Sequence, residues 1–152
     1  MAEILFYRLS GSPIEAALPD MLEKALARGW RVLVRAGTEA GVAFLDDRLW
    51  TYRDDSFLPH GLAGAPHAAR QPVLLTRGRE NANAAQVLML VMGARAEVAE
   101  MAGYERACLM FEEADADAVA AARDDWRAVV AAGLPAKFWA QEQGRWVLKA
   151  SG

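Results

Sequence analysis

Short runs dominated by apolar residues recur along this chain, each followed by a turn or a stretch of helical periodicity, and that alternation constrains the fold more than any other feature. The runs are "EILFYRL" (3–9), "RVLVRAG" (31–37), "QPVLLTRG" (71–78), "AAQVLMLVMG" (84–93) and "RACLMFEE" (106–113). Between the first two, Ile14, Leu18, Met21, Leu22, Ala25 and Leu26 follow a helical period that Gly29 stops. "TEAGVAFLDDRLWTY" reads as a second helix capped by Thr38, and "DADAVAAARDDWRAVVAAGL" as a long helix ending at Gly133. "AAQVLMLVMG" is apolar on every side and suits a buried helix or a central strand; we read it as a strand. Parallel strands need a crossover that a helix supplies. The expected fold is therefore α/β, a three-layer domain spanning 1–152, with a mostly parallel central sheet. "KFWAQEQGRWVLKA" adds a C-terminal β-hairpin turned at Glu142 to Gly144.

Two local expectations accompany the first helix. Ser12 is placed to cap it with Pro13 in its first turn, and Pro19 predicts a late start or a kink.

Folds of this class bind ligands beyond the carboxyl ends of their strands, yet the first strand-to-helix turn, "RLSGSP", has a single glycine. It matches neither G-x-G-x-x-G nor G-x-x-x-x-G-K-[ST], so no nucleotide-binding glycine loop and no cofactor is expected. "HGLAGAPH" brings His60 and His67 together without Cys or an adjacent carboxylate and reads as a structural turn rather than a metal site. The lone cysteine, Cys108, sits inside a strand as a small buried hydrophobe. The acid pairs Asp46/Asp47, Asp54/Asp55 and Asp124/Asp125 are sequence neighbours and do not converge on one substrate. No catalytic site is expected. An acid, Glu3, where a signal peptide carries basic residues and a short apolar run at the start fit no signal peptide, no run is long enough for a membrane span, and a cytoplasmic protein is expected.

The net charge of −3 argues against tracking nucleic acid by charge alone. Acids dominate residues 97–117, whereas Arg123, Arg127, Lys137, Arg145 and Lys149 make a modest basic patch near the C-terminus. One segment does not fit core patterning: "LDDRLWTYRDDSFLPHGLAG" (45–64) sets Trp50, Tyr52 and Phe57 among charges and turn formers. Such aromatics either fold back on the domain or form an exposed patch of the kind that marks an interface.

With "FYRL", "PVLLT" and "ARDDWRAVVAAG" in order around it, this segment resembles the chi subunit of the bacterial DNA polymerase III holoenzyme; L-D-x-x-L-W followed by S-F-x-P-H-x-L-A-G is its most specific part. The resemblance implies a Rossmann-like α/β fold without a nucleotide site, serving as an accessory subunit of a DNA-directed DNA polymerase complex. Its expected partners are the acidic C-terminal tail of single-stranded DNA-binding protein and the clamp loader, reached through the psi subunit, with a helicase as a competitor for the same surface. Contact with nucleic acid is only indirect. It implies that Trp50 and Phe57 hold psi or the helicase, and that Arg123 and Trp126, with Arg127 beside them, take the tail: a guanidinium for the carboxylate and an aromatic wall for the apolar terminal residue. Where the family pattern carries a lysine one turn earlier this chain has Val119, for which Arg127 and Lys137 are candidate substitutes, and its C-terminal hairpin is longer than the usual ending. The rival class is a small nucleotide- or phosphate-binding α/β protein using "RLSGSP" or "HGLAGAPH", where backbone amides at a helix N-terminus would hold phosphate.

Overall fold

A computed structural model describes residues 2–51 and 58–152. Eight strands form one sheet in the order β3-β4-β2-β5-β6-β1-β7-β8, with β1 at Glu3–Leu9, β2 at Val32–Ala36, β3 at Gly61–Leu62, β4 at Val73–Thr76, β5 at Val87–Val91, β6 at Arg106–Glu112, β7 at Ala136–Glu142 and β8 at Arg145–Ser151. Every pairing is parallel except β7 with β8. The central strands β2, β4 and β5 are buried along their whole length, as strands covered on both faces must be. "AAQVLMLVMG" is thus a strand, as read.

The helices α1 (Ile14–Ala27) and α2 (Glu39–Thr51) cover one face, and α3 (Val98–Met101) and α4 (Ala116–Ala131) the other. Alternation along β1 divides the two cores. Leu5, Tyr7 and Leu9 face α1 and α2, while Ile4 and Phe6 pack with Ala122, Trp126 and Val129 of α4. Because α4 connects β6 to β7, which both run parallel to β1, it runs antiparallel to all three.

The Thr38 cap forms, its Oγ1 accepting from the Gly41 amide at 3.0 Å. The Ser12 cap does not. Pro13 is the capping residue, extended and without a side-chain bond, and Ser12 Oγ instead accepts from Gln141 Nε2 at 3.4 Å. Nor does Pro19 delay α1, which runs from Ile14 straight through it; Pro19 is buried with Leu18 and Leu22, and that packing offsets the single ladder bond it omits. Three short elements carried no sequence signal: the two-residue β3, a single 3₁₀ turn at Ala68–Arg70, and the four-residue α3. The hairpin turns on Gln143 and Gly144, both at positive φ (53° and 77°), the two-residue geometry whose twist matches that of the strands it joins. It adds β8 as the edge of the sheet.

Candidate functional site

The carboxyl ends of the strands are where this architecture keeps its ligands, and here they are filled or acidic. At the end of β2, the buried Arg35 donates to Glu100 of α3 through both terminal nitrogens and to the Gly78 carbonyl from Nε at 2.8 Å. An internal ion pair therefore ties the end of β2 to α3 and to the loop after β4. Beside it, a cavity of about 270 Å³ between the ends of β5 and β6 and α4 is lined by Asp115, Asp117 and Asp125; its one cation, Arg95, already pairs with Asp125 at 2.5 Å. The hollow at "RLSGSP" is lined by Glu112 and Glu113, and the Ser10 amide there donates to Gln141 Oε1 at 2.9 Å. Carboxylates and a spent amide repel phosphate rather than hold it. At "HGLAGAPH", His60 is buried with Nδ1 2.8 Å from the Leu58 carbonyl and Nε2 3.0 Å from Asp46 Oδ1, so it ties the segment back to α2, whereas His67 is exposed. Among the described residues no cluster of His, Cys, Asp and Glu suits a metal.

Burial pushes the Cys108 thiol up to about 12, which leaves it protonated and a poor nucleophile.

Polar potential survives on α4. Its residues facing β7, namely Val119, Arg123, Trp126 and Val130, fall within about 60° of one another around the helix. Trp126 is half-buried, edge-on to Phe6 (5.4 Å between ring centroids) and to Phe138 (6.0 Å). Arg123 is exposed and has no hydrogen bond or ion pair among the described residues. Arg127 lies about 100° around the helix from Trp126 and meets Asp124 at 3.6 Å, an exposed pair that solvent screens. The C-terminal Gly152 closes one end, since a Cβ there would stand 2.7 Å from Val130 and 3.4 Å from Trp126. The long hairpin thus walls this face as well as extending the sheet.

Lys137 does not join this face. It is in register with Leu5, on the α1 side, while its neighbour Phe138 is in register with Phe6 and faces α4. A period of two sends consecutive strand residues to opposite sides, so Lys137 is no substitute for a cation at Val119. The floor holds instead a residue that the sequence reading passed over: Arg8 of β1, whose guanidinium carbon lies 6.0 Å from the centre of the Phe138 ring. A charge near the carboxyl end of a mostly apolar internal strand was the available signal.

The aromatic segment divides. Leu58 is buried in the α1 and α2 core, so part of the segment does fold back. Trp50, by contrast, remains 52 % exposed near the end of α2, its ring 4.5 Å from that of His60. Tyr52 and Phe57 lie outside the described residues.

Taken together, these features describe an α/β domain whose strand ends are lined by acids and whose exposed Trp50 and Arg123 stand on its helices. The family model for "DNA polymerase III chi subunit, HolC" matches residues 1–137, and the chain belongs to that family. It is 28% identical over 91 residues to the "Probable DNA polymerase III subunit chi" of Rickettsia prowazekii and 33% identical over 92 residues to the DNA polymerase III subunit chi of Pseudomonas aeruginosa. These matches cover 60% and 59% of this chain and span 55% and 63% of the two relatives. All of the hairpin after Lys137, with Phe138, Trp146 and Gly152, lies beyond the family match.

Proposed function

We propose that the protein is an accessory subunit of the replicative DNA polymerase III holoenzyme that links single-stranded DNA-binding protein to the clamp loader. It has no catalytic role of its own and works in the cytoplasm; no helix among the described residues is long and apolar enough to cross a membrane. The face formed by Arg123 and Trp126 docks the acidic C-terminal tail of the DNA-coating protein, Arg123 and the flanking Arg127 meeting its acids and Trp126 offering a wall to its apolar end. Trp50, with Phe57, engages psi, the clamp loader or a competing helicase. Family membership supports the class of function. The observation that carries the tail reading is Arg123, exposed and without a partner among the described residues, standing one turn from a half-buried tryptophan. An exposed guanidinium beside a half-buried aromatic ring suits a carboxylate next to an apolar side chain. The acidic crevices give the phosphate-binding reading no comparable support.

Recruitment tests it. Single-stranded DNA coated with its binding protein should retain the protein in a gel-shift assay at moderate salt, and deleting the tail should abolish retention. Tight binding to naked DNA, independent of the tail, would overturn the bridging role.

A further inference from the structure

A cavity of about 210 Å³ lies on the opposite side of the sheet from α4, between the C-terminal half of α1 and the hairpin. It arises because α1 packs over β2 and β6 while β7 and β8 carry the sheet on past it. Tyr7, Trp139 and Trp146 line the step so formed, Trp146 edge-on to Tyr7 at 5.1 Å between ring centroids. The floor, from β5 and β6, is apolar apart from Arg106. Both tryptophans lie beyond the part of the chain that the family model matches.

The charge here runs against that of the chain. Lys24, Arg28 and Arg106 line the cavity, and no described carboxylate does. Glu3 stands 3.3 Å from Arg106 Nη2 and offsets one of the three positive charges, which leaves two. Lys24 and Arg28 have no hydrogen bond or ion pair from their side chains among the described residues. Nor are they spent on the end of α1, whose Ala25 and Leu26 carbonyls already accept from the amides of Arg28, Gly29 and Trp30. The guanidinium carbons of Arg28 and Arg106 lie 3.9 Å and 5.1 Å from the centre of one ring, that of Trp30, so two like charges are held together. Arg106 Nε is buried with no hydrogen-bond partner. A desolvated donor left unpaired beside two uncompensated cations is a place for an anion.

We propose that this cavity binds a nucleoside 5′-monophosphate, its base against the Trp139 and Trp146 rings and its phosphate among Lys24, Arg28 and Arg106. Two uncompensated cations match a phosphate monoester, which carries about −1.5 to −2 near neutral pH, better than a carboxylate with its single charge. Indole faces stack on bases of any sequence, and a cavity of this size admits one ring system rather than a strand. The site stands apart from the acidic strand ends and does not depend on tail docking.

Adenosine and thymidine 5′-monophosphates, titrated calorimetrically against the full chain, are the probes. Both should bind, and the parent nucleosides and inorganic phosphate should each bind at least tenfold more weakly. Lys24→Gln, a change at an exposed side chain, should weaken both nucleotides several-fold at an unchanged melting temperature, whereas Arg123→Ala should leave them unaffected. In the unsubstituted protein the Trp139 and Trp146 indole N–H resonances should shift with nucleotide while that of Trp126 stays in place. A short oligothymidylate without a terminal phosphate should not compete, since each of its diesters carries one charge, and neither should an acidic peptide ending in Phe. Equal affinity for inorganic phosphate would mean an adventitious ion only, and displacement by the peptide would assign the cavity to the tail. Either result overturns the proposal, as would unmoved Trp139 and Trp146 resonances or no heat from either nucleotide.

Discussion

Arg35 shows how much one buried side chain can contribute and why it should not be mistaken for a ligand site. Its charge is paired with Glu100 and further satisfied by the Gly78 carbonyl, so β2, the loop after β4 and α3 meet on one guanidinium. Removing one partner of such a pair leaves the other charge buried, which costs about 3–5 kcal/mol. Arg35→Ala should therefore lower the melting temperature sharply, and Arg35→Ala with Glu100→Ala should cost less than the sum of the single changes. Strict additivity would mean that the two charges do not act together. Cys108 makes a separate prediction about pH. Burial raises the folded thiol to about 12, whereas an unfolded cysteine titrates near about 8.5. The unfolded state thus sheds its proton first, and stability present below that lower value is lost as pH rises toward the upper one. Burial shifts Tyr7 and Tyr104 upward too, so they deepen the same alkaline decline. Thermal melts across the alkaline range should fall less steeply for Cys108→Ala than for wild type; parallel curves would remove the thiol from the explanation.

Elements differ in how much of them sequence carries. The long strands, α1, α2, α4 and the hairpin were legible because each holds its own period or turn: full burial along Val87–Val91, a 3.6 repeat along α4, positive φ at Gln143 and Gly144. The short ones were not. Four residues of α3 and two of β3 are too few to form alone, and they persist because Glu100 grips Arg35 and Gly61 and Leu62 pair with Leu74 and Leu75. Arg123 and Trp126 could be grouped by a spacing of three on one helix. Arg8 could not be added, and Lys137 was misplaced, because which side of a strand meets α4 is decided by topology. The end of α2 yields its own prediction. Trp50 is more than half exposed, so Trp50→Ala should change the melting temperature little and yet weaken capture of psi or the clamp loader by about 2 kcal/mol, as aromatic hot spots do. A large loss of stability with no partner specifically lost would make Trp50 part of the domain's own packing against His60. Trp126 should behave differently. It packs on Phe6 and Phe138, and Trp126→Ala should lower both the melting temperature and tail affinity.

For the molecule as a whole, the charge map and the packing point the same way. Acids crowd the carboxyl ends of the strands, an internal ion pair holds the end of β2, and Arg123, without a partner among the described residues, stands exposed on α4 one turn from Trp126. A chain with net charge −3 gains little from bare nucleic acid, and its basic groups suit a partner that brings acids of its own. The C-terminal hairpin contributes to both faces: Trp146 packs edge-on against Tyr7 at 5.1 Å on the α1 side, and Gly152 abuts Trp126 on the other. Calorimetric titration of the protein with an acidic peptide ending in Phe, run in parallel on wild type and Arg123→Ala, reads tail recognition directly. The wild type should bind at one site, and Arg123→Ala should bind roughly tenfold more weakly at an unchanged melting temperature, the loss of one charge-assisted contact. Equal affinity in a folded Arg123→Ala, or no heat from the wild type, would contradict docking on α4.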